Sequence, residues 1–357
     1  MPQSVAGVEW LRAVPDGAAP VLDVDLRTTP CLVFDLSVGS QLLGADPAAL
    51  GTAALTETLW REMKVAGVDV GVGRYDEARP IYTTDAFASG GRPTDEHRTV
   101  HLGIDLFVPP GSAVHAPLAG TVHYLANNAA AKDYGPLVIL RHLTGDGTPF
   151  FTLYGHLGPS CLERLAVGQQ VARGERIADV GAPPGNGDWA PHLHLQLITD
   201  LLELDGDYPG VAFASRRDLW CSLSPDPNVL LGIPAECFPA LGPTTDELLT
   251  ARRSRVGRNL SVSYRRPLRI VRGWRQYLYD DTGRAYLDAY NNVPLVGHGH
   301  PRVVQAVQAQ MALLNANTRY LHENLARYAE RLTALMPAPL RVAFVLNSAS
   351  EANELAL

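Results

Sequence analysis

The chain has 357 residues, is 46% hydrophobic and carries a formal net charge of −7, which is enough apolar material for two or three packed units. Its basic residues are scattered and almost all arginine, with Lys64 and Lys132 the only lysines, and no aromatic-studded basic patch marks a nucleic-acid surface. No apolar run approaches the ~18 residues of a membrane span, and the opening MPQSVAGVEWLRAVPDG lacks the basic start and long apolar core of a secretory signal, so the product is expected to be cytoplasmic.

Over residues 1–90 the segment VLDVDLRTTPCLVFDLSV alternates like a strand, and TAALTETLWREMKVAG sets Leu55, Leu59 and Met63 at helical spacing, which predicts a small α/β module with no assigned chemistry. GVGRYDEARPIY has the glycines of a loop but no GKS/T of a phosphate-binding loop. Cys31, Cys161, Cys221 and Cys237 show no C-x-x-C spacing and read as free thiols of a reducing compartment. The excess of Arg over Lys, with abundant Ala, Gly and Pro, fits a GC-rich bacterial coding sequence.

The chemistry concentrates in five residues that follow: His101 and Asp105 in RTVHLGIDLFVPP, His156 in LYGHL, and His192 with His194 in APHLHLQL. Imidazoles and a carboxylate at short spacings are what a zinc ion needs, and three such ligands leave a fourth position for a reactive water. His192 and His194 are two apart in an apolar stretch, so on a strand both project from one face. His101 and Asp105 are four apart and would lie roughly 13 Å from each other on a straight strand. The backbone must bend between them, and Gly103 is the residue type that allows a bulge or turn at low steric cost.

From about His101 to Ile198 the words HLGID, PPGSAVHAPLAGTVHY, YGPLVILRH, FTLYGHL, VGQQVARGERIADVG and HLHLQ resemble, in order, the lysostaphin-type (LytM-like) zinc metallopeptidases. The resemblance implies a small, mostly antiparallel β domain (a duplicated hybrid motif) over about 91–205, with a groove above the metal. It also implies that His101, Asp105 and His194 are the zinc ligands. His156 and His192 then form the non-ligand pair, one taking a proton from water and the other steadying the oxyanion of a peptide or amide substrate. Tyr154 could place a phenol near the oxyanion but reads rather as a half-buried strand aromatic, and Gln196, sharing the face of the histidine pair, could hold a ligand histidine. His97, His115, His123 and His142 read as ordinary core or surface groups.

Residues 206–255 are rich in proline and turns, as in DGDYPG and SLSPDPNVLLGIPAECFPALGPTTDELL, and predict an interdomain linker with a capped helix start near Thr244. From 256 onward, RPLRIVRGWRQYLYDDTGRAYLDAYNNVPLVGHGHPRVVQAVQAQ, LNANTRYLHENLARYAERL and VAFVLNSASEANELAL resemble the start of the class III pyridoxal-phosphate aminotransferases, nearest the branch of ethanolamine-phosphate phospho-lyase and alanine–glyoxylate aminotransferase. NSASEANELAL then implies a strand end, a tight turn and a helix start, with Ala349 and Ser350 at the cofactor phosphate; the family usually has glycine where Ala349 stands. His298 and His300 fall in a loop-to-helix connection rather than a metal site, and Asn315, Asn317, Arg319 and Tyr320 in a loop near the cofactor or dimer interface.

Residues 256–357 contain no lysine, the amine that pyridoxal-phosphate chemistry requires, so this stretch reads as the truncated first part of an enzyme whose full-length form is expected to be a homodimer. The pairing resembles bacterial fusion proteins that join kinase-like, peptidase-like and class III aminotransferase parts. Two functions follow: a zinc-dependent peptidase or amidase in the central domain, or a noncatalytic docking module on a transaminase or phospho-lyase.

Overall fold

The computed structural model describes residues 17–44, 51–82, 84–240, 242–291 and 295–357. The reading of residues 1–16 as free of a secretory signal lies outside them. Two compact units divide the chain, Met1–His300 and Pro301–Leu357.

The larger unit is built on an eight-stranded sheet. In chain order its strands are β1 (Leu32–Phe34), β2 (Gly71–Gly73), β5 (Ile104–Phe107), β7 (Gly120–Asn128), β8 (Gly135–Leu143), β9 (Pro149–Gly155), β10 (Gln170–Val171) and β12 (Leu193–Ile198). The spatial order is β1-β2-β5-β12-β9-β8-β7-β10, antiparallel throughout except for the β1–β2 pair. Strands β3 (Glu77–Ala78), β4 (Arg98–His101) and β13 (Val211–Phe213) form a second sheet in the order β13-β4-β3. A third pairs β6 (Ala113–His115) with β11 (Arg176–Asp179), and β14 (Ile270–Trp274), β15 (Tyr277–Asp280) and β16 (Ala285–Leu287) make a meander.

Alternation in β12 explains how the sheet serves both a core and a site. Leu193 and Leu195 pack with Ile104, Leu106, Val138, Leu140 and Tyr154 in one apolar cluster. His194 and Gln196, at the intervening positions, turn to the opposite face. All six residues of the strand are buried.

Among the described residues of 17–90, the strand and helix join the large sheet rather than standing apart as a module. Helix α1 (Thr52–Ala66) buries Leu55, Leu59 and Met63, as their spacing predicts, and ends at Gly67 in the left-handed region. Those side chains pack on Phe34, Leu36, Leu43 and Phe107, and β2 hydrogen-bonds directly to β5. The segment therefore extends the sheet that carries the site.

The expected linker also differs from what folds. Tyr208, Val211, Ala212, Cys221, Ser224, Leu230, Leu231 and Ile233 are buried, because β13 pairs with β4 and short helices at Arg217–Leu223 and Asn228–Leu231 cover the sheet. Helix α2 (Thr245–Arg255) starts at Thr244 with the predicted capping box: Thr244 Oγ1 accepts from Glu247 N at 3.2 Å, and Glu247 Oε2 accepts from Thr244 N at 2.7 Å.

The smaller unit holds α3 (Pro301–Leu313), α4 (Glu323–Thr333) and α5 (Ala349–Ala356). None of residues 301–357 is buried. The strand expected before Ala349 is absent among the described residues of this unit, where 341–346 take no regular structure and have no sheet edge to pair with. Among the described residues no helix is long and apolar enough to cross a membrane.

Candidate metal centre

His101 ends β4, Asp105 lies in β5 and His194 in β12, and register brings them together. In the ladder His194 stands opposite Asp105 on one side and opposite Gly155 on the other. The predicted bend between His101 and Asp105 is a change of sheet, from β4 to β5. Gly103 does not need a positive φ for it. A Cβ on Gly103 would lie 2.6 Å from the Leu195 carbonyl oxygen and 2.7 Å from His194 Cε1, so the glycine gives the His194 ring its space.

Three ligand atoms converge. His101 Nε2 lies 3.0 Å from His194 Nδ1 and 3.1 Å from Asp105 Oδ1, and the last two are 3.0 Å apart. These three residues are the one group among the described residues whose ligand atoms gather closely enough to hold a metal ion.

Hydrogen bonding on the far side of each ring fixes what those atoms present. His101 Nδ1 faces the Arg74 carbonyl at 2.8 Å, which can only accept, so with the ring neutral its proton is on Nδ1. Gln196 Nε2 donates to Pro209 O at 3.2 Å and to Ser224 Oγ at 2.9 Å, which turns Gln196 Oε1 toward His194 Nε2 at 3.1 Å. The His194 proton is therefore on Nε2. Two imidazole lone pairs and a carboxylate oxygen meet with no hydrogen between them, an arrangement that repels itself unless a cation sits among them. Ligand atoms about 2.0–2.1 Å from a tetrahedral zinc stand about 3.3 Å apart, so the donor set fits such an ion.

The surroundings hold His101 and Asp105 in metal-binding protonation states. Burial, helped by Arg79, pushes His101 down to about 4. Burial alone would raise Asp105, but His101, His192 and Arg79 outweigh it and hold the carboxyl well below the usual range.

His156 and His192 stand beside the triad with ring centroids 4.4 Å apart. His156 Nδ1 donates to Asn186 O at 2.9 Å and His192 Nδ1 to Ala190 O at 2.6 Å, which leaves an Nε2 lone pair on each neutral ring. Burial lowers both, His156 further because His192 and His194 are near it. His156 adopts φ 63°, an uncommon backbone for a residue with a Cβ. Its N–H donates to Tyr134 O at 2.8 Å and its carbonyl accepts from Gly181 N at 2.9 Å.

A cavity of about 250 Å³ opens over these groups, with Tyr82, Phe87, Tyr134 and Trp189 among its walls and Arg98 and Lys132 also lining it. Lys132 Nζ lies 4.6 Å from the centre of the Trp189 ring. Tyr154 is elsewhere: fully buried, not half-buried, with its hydroxyl accepting from Thr152 Oγ1 at 3.0 Å. Sequence reasoning missed Tyr134, Trp189 and Arg79. Arg79 Nη1 donates to Asp105 Oδ2 at 2.6 Å, and only the charge pattern of DEAR hinted at it.

Four of the other histidines have ordinary partners: His115 bonds Asp23 at 2.9 Å, His142 the Ala119 carbonyl at 2.8 Å, His97 the Asp95 carbonyl at 3.0 Å and His298 Asp288 at 2.8 Å. In the smaller unit, α5 starts just after Ser348, whose Oγ accepts from Glu351 N at 3.1 Å, and Ala349 and Ser350 form its exposed first turn.

Residues 99–205 match the family model described as Peptidase family M23, and residues 260–357 match Aminotransferase class-III. Among curated relatives, the alanine–glyoxylate aminotransferase 2-like protein of Drosophila melanogaster is 49% identical over 112 residues, 31% of this chain and 23% of the relative. Ethanolamine-phosphate phospho-lyase homolog 1 of Caenorhabditis elegans is 37% identical over 133 residues, 36% of this chain and 28% of the relative. The chain thus spans about a quarter of the length of the curated relatives it matches. Solved structures similar to parts of it include a phospholyase from Arthrobacter in complex with phosphoethanolamine (44% identity, 30% of this chain, 26% of that chain, TM-score 0.29). Others are a zinc containing peptidase from Vibrio cholerae (26%, 32% and 34%, TM-score 0.23) and the catalytic domain of lysostaphin from Staphylococcus simulans (22%, 38% and 80%, TM-score 0.26).

Proposed function

We propose that the M23 segment of this chain, with the lysostaphin-type duplicated hybrid motif as its β framework, is a zinc-dependent peptidase or amidase. His101 Nε2, Asp105 Oδ1 and His194 Nδ1 hold the ion. The observation that carries this reading is the meeting of three proton-free donor atoms, 3.0–3.1 Å apart, in a buried site that opens to a cavity. A divalent cation held there supplies Lewis acidity toward a carbonyl oxygen and lowers the pKa of a water.

The chain's own residues do the rest. Burial disfavours the charged forms of His156 and His192; the Nε2 lone pair of one accepts a proton from an attacking water and returns it to the leaving amine. Steadying the oxyanion, the role expected of the other, requires an Nε2–H that a neutral ring protonated on Nδ1 does not carry. The Asn186 and Ala190 carbonyls hold these rings in the needed tautomer. Tyr134, Trp189, Tyr82 and Phe87 line the cavity, offering an apolar wall against which a peptide or amide is positioned and water excluded.

The class III segment implies pyridoxal phosphate, with Ala349 and Ser350 at its phosphate. No step through that group is assigned, since residues 256–357 contain no lysine, while Lys64 lies in α1 and Lys132 lines the peptidase cavity.

The test is metal content and peptide hydrolysis measured together on the wild-type chain and on His194→Ala. The expected result is one zinc per chain and hydrolysis in the first, and loss of both in the second. Hydrolysis that persists in a metal-free preparation would overturn the assignment.

A further inference from the structure

The turn from Gly73 to Arg79 lies outside the residues that match the peptidase family, yet it grips two of the three proposed ligands. The Arg74 carbonyl accepts from His101 Nδ1 at 2.8 Å and from Arg79 Nη2 at 2.9 Å. Arg79 reaches Asp105 Oδ2 through Nη1 at 2.6 Å and Glu77 Oε2 through Nε at 2.8 Å. Glu77 Oε1 in turn accepts from Leu36 N at 3.1 Å. Arg79 is 1% exposed and Glu77 7%.

A guanidinium buried this deeply is a poor device for stability, because desolvation consumes most of what the ion pair returns and an apolar pair of the same volume does as well. Its distinctive property is a planar fork of donors that fixes several acceptors at once. The chain makes room for it: Gly73 stands opposite Asp105 in the ladder, and a Cβ there would lie 2.8 Å from Arg79 Nη2 and 3.2 Å from Asp105 Oδ2.

We propose that Arg79 is a positioning residue of the metal centre: it occupies Oδ2 of Asp105 so that only Oδ1 faces the cation, and it shares the Arg74 carbonyl with His101, registering both ligands to one turn. This rests on His101, Asp105 and His194 being the ligands. A carboxylate free to rotate offers both oxygens and crowds the position a water needs; one tied at Oδ2 offers a single oxygen. Since Glu77 balances Arg79, the turn orients the site without changing its net charge.

The experiment uses the full chain and three variants, Arg79→Lys, Arg79→Met and Glu77→Gln, read by zinc affinity in competition with a chromophoric chelator and by the visible spectrum of the Co(II)-substituted protein. Thermal unfolding is recorded for each. Both Arg79 variants are expected to keep one site but bind zinc about tenfold or more weakly, with the cobalt bands losing intensity as Asp105 adds its second oxygen. Glu77→Gln, which keeps the guanidinium but loosens its anchor, is expected to shift the same readings less. Should Arg79→Met fail to fold, Arg79→Lys and Glu77→Gln carry both readings. Variants with lowered melting temperature but wild-type zinc affinity and cobalt spectrum would overturn this proposal and leave the hydrolase reading standing. A wild-type chain that binds no zinc removes both.

Discussion

Gln196 is buried two positions after His194 and accepts from its Nε2 at 3.1 Å while donating to Pro209 O and Ser224 Oγ. Gln196→Ala removes the acceptor that fixes the His194 tautomer, and zinc affinity should fall about tenfold or more with the fold retained, as chelator competition alongside circular dichroism would show. Unchanged affinity would mean that the tautomer is set by something else. A second residue-scale expectation concerns pH. His142 lies away from the metal centre, bonded to Ala119 O and Thr152 Oγ1, and burial pushes it down to about 4. A histidine lowered in the folded state binds its proton more readily when unfolded, so its neutral, buried form is favoured fully above pH 6.5 and stability drains away as pH falls from 6.5 toward 4. That amounts to about 3 kcal/mol. Urea denaturation at pH 7 and pH 5 should show about 2 kcal/mol of this loss in the wild type and a smaller one in His142→Gln. Local spacing made the ligands readable in advance: His-x-His on a strand and His-x3-Asp around a glycine are short-range patterns. Arg79 was not readable, because its role depends on a partner 26 positions away and on the side of β5 that the β2 edge happens to cover.

Among elements, the passage from β4 to β5 decides whether the ligands meet. The chain leaves the β13-β4-β3 sheet after His101 and joins the larger sheet at Ile104, so the residues between them carry the whole change of direction. Gly103→Ala puts a methyl 2.6 Å from a backbone carbonyl and 2.7 Å from the His194 ring. We expect a loss of about 1–3 kcal/mol from overpacking together with loss of stoichiometric zinc, measured by melting temperature and metal content. A variant that binds zinc normally would show that β12 can shift to accommodate the methyl. The need for a break at Gly103 was evident from the spacing of His101 and Asp105, whereas its steric reason was hidden, since it comes from a strand some ninety residues later. Likewise, the Leu-His-Leu-Gln alternation of β12 identified a two-faced strand, but periodicity does not name neighbours.

At the scale of the whole molecule, the sequence divides where the folded chain does not. Composition set the turn- and proline-rich residues 206–255 apart as a linker, yet residues up to Ile233 pack against the sheet, because a proline-rich segment with Tyr, Val, Cys and Leu at intervals can bury those side chains without long helices. The meander β14-β15-β16, within the class III match, belongs to the same compact unit as the metal centre. Arg272 ties it there, donating through Nε to Val38 O at 2.6 Å, through Nη2 to Ser40 O at 2.7 Å and through Nη1 to the Gly44 carbonyl. Thr99, two residues before His101, donates to the Thr282 carbonyl at 2.6 Å. Arg272→Ala strips charged donors from three carbonyls, and since each such bond is worth about 1.5–3 kcal/mol but the three share one side chain, the larger unit should lose about 3 kcal/mol. Urea denaturation checks the total, and hydrogen exchange at residues 38–44 checks the place. Arg272→Lys, a point charge in place of a fork, should recover less than half of the loss. If exchange at 38–44 and the denaturation midpoint both match the wild type, the meander is not fastened through Arg272, and the bond from Thr99 to the Thr282 carbonyl is left as its tie to the strand that carries His101.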